Sequence, residues 1–145
     1  MILLELAFPG LTGTAYQVTS PATARYNCIA WAAADVAQWW EPDPFNQYHW
    51  PPGIPRQNVI EAYVALFESL GYVACDDAGL EQGFEKVAVY CAPNGSPTHA
   101  ARQLSDGSWT SKLGQSVDIT HATVADLEGV QYGDAVRFFR RGAQV

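Results

Sequence analysis

Residues 85–92, Glu-Lys-Val-Ala-Val-Tyr-Cys-Ala, constrain the fold of this chain more than any other stretch. They read as its best strand, rich in β-branched and aromatic side chains. Pro93-Asn94-Gly95-Ser96-Pro97 then turns the chain into a second strand at 98–104. Ser105-Asp106-Gly107 is a tight turn into a third at 108–112. Strands joined by loops this short must run antiparallel, because a parallel return needs a crossover of a dozen or more residues. A meander is therefore the centre of the fold.

Two helices are expected to pack on it. In 26–35, Tyr-Asn-Cys-Ile-Ala-Trp-Ala-Ala-Ala-Asp, alanine is the best helix former, and Ile29, Ala32, Ala33, Val36 and Trp40 recur at helical spacing. Ser20-Pro21-Ala22-Thr23 supplies breakers and caps, so this helix should open near Cys28; Glu41-Pro42-Asp43-Pro44 should end it by Trp40. The second helix carries Asn58 as N-cap, Glu61 as the partner of a capping box, an apolar stripe of Ile60, Tyr63, Val64, Phe67 and Leu70, and Gly71 as its stop. Around these, 1–8 looks strand-like and leads into loop up to residue 25. A short strand is expected at 72–75, a solvated acidic loop at 76–82, a short helix near 123–128, and a strand at 134–140 that closes the sheet. The expected fold is α+β, a Cys28-bearing helix on a small antiparallel sheet, in a single domain over residues 1–145.

The chemistry sits where these elements meet. A cysteine at a helix start faces unpaired backbone N–H groups and the positive end of the helix dipole, which favour a thiolate, the nucleophilic form. Its plain alternative is a small apolar residue of a buried helix. His99 opens one arm of the hairpin and Ser111 and Lys112 stand on the other. A cysteine opening an N-terminal helix, followed by a histidine opening a strand, resembles the papain-like cysteine peptidases, most closely their NlpC-like branch, which cuts bacterial cell-wall peptides. Ser111-Lys112-Leu113-Gly114 after the hairpin is also similar to an uncharacterised bacterial family with the same Cys and His. The resemblance covers about residues 20–115. It implies Cys28 as nucleophile, His99 as base, and a third polar residue on the next strand that orients the imidazole. Ser111 falls at that place, where the family usually has His, Asn or Gln; Gln103 and Lys112 are the alternatives, although a charged lysine cannot accept from an imidazole N–H. The Cys28 backbone N–H is the natural first oxyanion donor and Asn27 a second candidate. Trp50, in the aromatic and proline-rich loop 45–55, reads first as a core residue and second as one wall of a substrate groove. His49 and His121 are weaker rivals to His99, and His121 is expected to cap or decorate the helix at 123–128.

Composition narrows the function. A net charge of −7 with eight basic residues argues against a nucleic-acid partner and against an anionic membrane surface. Three cysteines with no CxxC pair give no disulfide framework or zinc site, and Cys75 and Cys91 are expected to be core thiols. The spacing of acidic residues in 76–82 fits no EF-hand, so neither a metal nor a cofactor is expected. The opening Met-Ile-Leu-Leu-Glu-Leu-Ala-Phe has no basic n-region, carries Glu5 and is cut short by Pro9, which reads as neither signal peptide nor membrane span and suggests the cytoplasm. The expectation is a cysteine hydrolase acting on an amide or thioester bond of a peptide or protein. The alternatives are a binding or immunity-type protein that keeps the fold without the chemistry, and an acyltransferase or deamidase using the same dyad.

Overall fold

The structure is a computed structural model that describes residues 2–143; Met1, Gln144 and Val145, the ends of the expected domain, lie outside the described residues. Seven antiparallel strands form one sheet: β1 (Gln17–Ser20), β2 (Val73–Cys75), β3 (Phe84–Cys91), β4 (Pro97–Gln103), β5 (Trp109–Lys112), β6 (Asp118–His121) and β7 (Asp134–Gly142), in spatial order β1-β6-β5-β4-β3-β7-β2. The fold is α+β. The expected meander is there and runs one strand further, through β6. β7 does not close the sheet but sits inside it, between β3 and the short edge strand β2.

β3 is buried from Val87 to Cys91 because both faces of the sheet are covered, which is why it reads as a continuous apolar run. Alternate side chains go to alternate layers. Val87, Val89 and Cys91 join a cluster built on α2 (Cys28–Ala32) and α3 (Ile60–Ser69), with Ile29, Ala30, Leu66 and Phe67 at its centre. Ala88 and Tyr90 join a second cluster with Trp109 and Ile119, closed by Phe8, Leu11 and Leu127 from the opposite side.

Several local expectations are corrected. The helix from Cys28 stops at Ala32 and does not reach Trp40. Asn27 is the reason: its side-chain oxygen accepts from Ala30 N (3.2 Å) and Trp40 N (3.1 Å), while its amide donates to Trp40 O (2.6 Å). The chain is drawn back to the helix start through Ala34 in the left-handed region at φ 64°, and helix propensity is overridden. Asn58 is not the N-cap of α3. Val59 is, with no side-chain cap, and Asn58 instead bonds Tyr63 and Pro97 O. The strand-like start is instead a short helix, α1 (Ile2–Ala7), followed by a 3-10 turn at Pro9–Leu11. The apolar run Ile-Leu-Leu is too short for periodicity to separate helix from strand. The helix near 123–128 is a 3-10 turn, Val124–Leu127, held by a capping box between Thr123 and Asp126.

Gly133 is a fixed point of the architecture. It has φ 73°, and a Cβ there would lie 2.0 Å from Cys91 O. Only glycine permits the chain to press this closely on the end of β3, and that approach sets the position of its neighbour, Tyr132.

Candidate active site

β4 and β5 pair only at Arg102–Thr110 and Gln103–Trp109. Beyond these the strands part, and the start of α2 fills the notch. The Ala100 amide, with those of Ile29 and Cys28, faces the Cys28 sulfur. Burial pushes the thiol up, and these amides and the charge of Lys112 pull it back only in part. The thiolate expected at rest is therefore not favoured: the helix is one turn and a half long, and its dipole is outweighed by desolvation.

His99 is buried on the other face of β4, in a well-defined seat. Tyr132 stacks flat on its ring (4.1 Å between centroids, 6°) and Tyr90 meets it edge-on at 5.2 Å. Thr98 Oγ1 donates to Tyr132 O (2.5 Å), pinning the tyrosine to the strand it covers. The far nitrogen of His99, Nε2, lies 3.0 Å from Ser111 Oγ, so the third residue read from the sequence does reach the imidazole. Ser111 Oγ is also 2.8 Å from His121 Nε2, and His121 Nδ1 is 2.9 Å from Thr123 O. One assignment of protons satisfies the whole chain. A carbonyl can only accept, so His121 carries its proton on Nδ1 and accepts at Nε2 from the Ser111 hydroxyl. Ser111 in turn accepts from His99 Nε2–H. The remaining nitrogen, His99 Nδ1, is left as a bare lone pair, buried without a hydrogen-bond partner among the described residues. No hydrogen bond joins it to Cys28.

His121 is not an ornament of the short helix; it sits on β6, buried, as the outer member of this relay. Burial, then the charge of His121, pulls His99 well below the usual imidazole range; burial also lowers His121, against the Thr123 carbonyl and Asp126. Both rings are thus neutral in the native state. The unfolded chain takes up protons on them near the ordinary 6.5 while the folded chain does not, so stability falls as pH drops below about 6.5. Each histidine contributes a slope of up to about 1.4 kcal/mol per pH unit until its native value is reached. Urea midpoints measured from pH 7 to pH 5 should fall, and fall less steeply in His121→Gln; parallel lines would rule out the buried pair as the cause.

The remaining candidates are placed as follows. Asn27 lines the site, and its side chain serves as a cap, bonded to Ala30 and Trp40. Lys112 faces the α2 side, not His99. It is fully buried, donates to Thr23 O (2.7 Å) and Gly114 O (2.5 Å), and lies over the Tyr26 ring. Gln103 donates to Ala78 O and Gly107 O at the far end of β4 and takes no part. Trp50 is buried, packed edge-on to Tyr63 with its indole N–H on Pro55 O, and does not line the cavity that opens over Cys28. Cys91 is buried as expected, whereas Cys75 lies half-buried on the edge strand. The acidic loop serves the fold, because Asp77 and Glu81 hold the buried ammonium of Lys86 at 3.1 and 3.0 Å.

A cavity of about 740 Å³ opens over Cys28, lined by Asn27, Tyr63, Thr98, Gly114 and Tyr132 and by the charged Glu41, Asp43 and Arg56. Tyr63 and Tyr132, neither read from the sequence as a site residue, have hydroxyls pushed far above the ordinary tyrosine range by burial and then by the Cys28 charge, so each stays protonated; that of Tyr63 donates to Asn58 Oδ1 (3.0 Å). His99 does not line this cavity, but the two residues that do on its side, Thr98 and Tyr132, enclose it.

Residues 17–140 match a family described as a domain of unknown function (DUF7689), and the chain belongs to that family. No curated protein and no solved structure matches it.

Proposed function

We propose that this member of the DUF7689 family is a thiol-dependent hydrolase of papain-like, NlpC-like type that cleaves an amide or thioester bond of a peptide or protein through Cys28 and His99. The observation that carries the reading is the bare Nδ1 of His99. This buried imidazole has its other nitrogen tied into a three-membered relay and its lone pair unbonded, and Thr98 and Tyr132, which enclose it, also line the cavity over Cys28.

The resting pair is neutral. On substrate binding, His99 Nδ1 takes the thiol proton as sulfur attacks the carbonyl carbon. The imidazolium that forms keeps its Nε2–H on Ser111, which already donates to His121, so charge is spread along the relay without any side chain turning. The Cys28 N–H, at the start of α2, is offered to the oxyanion. His99 then protonates the leaving group, and water releases the acyl group from sulfur.

A second reading, a binding protein that retains the fold, is favoured by two facts: no hydrogen bond joins Cys28 to His99, and burial pushes the thiol up, so that it is protonated at rest. The two readings separate by intact-mass analysis after exposure to p-nitrophenyl acetate. A transient acetyl adduct on Cys28, forming faster as pH rises from 6 to 8, supports the hydrolase. No adduct at any pH supports the binding protein. Within the hydrolase reading, Ser111→Ala should slow turnover on the order of tenfold, because one neutral hydrogen bond is worth about 1–1.5 kcal/mol. Ser111→Asn, which restores a fixed acceptor, should recover part of it.

A further inference from the structure

A second cavity, of about 560 Å³, lies beside the first and shares two residues with it, Gly114 and Tyr132. Its character is different. Leu4 and Ala7 of α1, Phe8, Val18 of β1, Leu113 and Val117 make it mostly apolar, with Ser116 and Gln131 as its polar lining. One wall, α1, stands before the segment that matches the family, which begins at residue 17. Gly114, on the shared wall, has open space where a Cβ would stand. The volume is in the range of cavities that bury small ligands, and such cavities are mostly apolar with few polar groups.

We propose that this second cavity holds the hydrocarbon tail of an acyl substrate whose carbonyl is presented to Cys28, so that the enzyme removes a medium-chain acyl group. This rests on the hydrolase reading above and names its substrate class. The carbonyl carbon bonds to the Cys28 sulfur, and the bond to the leaving oxygen, nitrogen or sulfur breaks. The thiol proton passes by way of His99 to the leaving group. Water then cleaves the sulfur–carbon bond, giving a fatty acid and the free thiol. The tail runs over Gly114 and past Tyr132, away from the charged lining of Glu41, Asp43 and Arg56, where the leaving group sits.

The test has two arms. Decanoate, below its micellar concentration, is titrated into the protein by calorimetry, and p-nitrophenyl decanoate is compared with the acetate in turnover. Burial of two methylenes is already worth on the order of tenfold, so kcat/KM should favour the decanoyl ester by at least about that factor. Val18→Trp, on the edge strand, fills the cavity, and Gly114→Asn puts a side chain on the wall that the two cavities share, with a residue that tolerates the glycine's φ of 60°. Both should abolish decanoate binding and collapse the decanoyl-to-acetyl ratio. Cys28-dependent acetate turnover with no chain-length preference and no decanoate binding overturns the acyl assignment while the hydrolase stands. Decanoate binding that Val18→Trp removes, with no turnover of either ester, leaves the tail site in place and removes the hydrolase. Decanoate binding that both variants leave intact places the tail elsewhere and overturns the proposal.

Discussion

On the proposed hydrolase reading, Cys28→Ala is expected to abolish turnover of every ester and amide substrate while leaving the protein folded. The other two thiols lie in β2 and at the end of β3. Residual activity should be indistinguishable from that of His99→Ala, since nucleophile and base act as one unit and their losses do not add. Stability is a separate matter. Alanine suits a helix start and removes one sulfur from a partly open site, so the cost should stay within about 1–2 kcal/mol. Thermal melts beside initial rates check both. Turnover that survives in Cys28→Ala removes the thiol mechanism, and a collapse of the melt makes Cys28 a packing residue.

Gly133→Ala should be the most destabilising small change in the chain. The new Cβ meets a backbone carbonyl, not a flexible side chain, and does so at a φ that disfavours any L residue. Left-handed strain contributes about 1–2 kcal/mol and overpacking about 1–3 more, a total on the order of 3–5 kcal/mol. The cost is coupled to the site because relief requires the 129–133 turn to lift from β3, taking Tyr132 off the His99 ring. Urea unfolding should show the loss. Near-ultraviolet circular dichroism at low denaturant should show the tyrosine environment altered before global unfolding. A midpoint within about 0.5 kcal/mol of the parent would mean that the turn relaxes freely.

The meander was legible because its signals are local: a β-branched run, Asn94-Gly95 and Asp106-Gly107 turns, and strands of ordinary length. Ser111 could be placed against His99 for the same reason, since a tight turn fixes the register of a hairpin. What escaped was set by contacts distant in sequence. α2 is cut short by an asparagine that binds Trp40, thirteen residues on. His121 enters the relay through β6, whose four residues Asp-Ile-Thr-His carry only a weak strand pattern. Tyr132 reaches His99 through the close approach of Gly133, which no periodicity announces. Thiol electrostatics were misjudged because the position at a helix start was visible and the depth of burial was not.

The relay runs across the sheet, one residue per strand: His99 on β4, Ser111 on β5, His121 on β6. Its span is thus measured in strand spacings of about 4.8 Å, and the backbone ladder acts as its ruler. A slip of one residue in β5 would turn Ser111 to the opposite layer and bring Thr110 or Lys112 to its place. No intermediate setting exists between an intact wire and a cut one. On the proposed reading, a chain with mispaired strands is chemically silent however compact it becomes, and catalytic competence arrives in a single step when the central strands find their register.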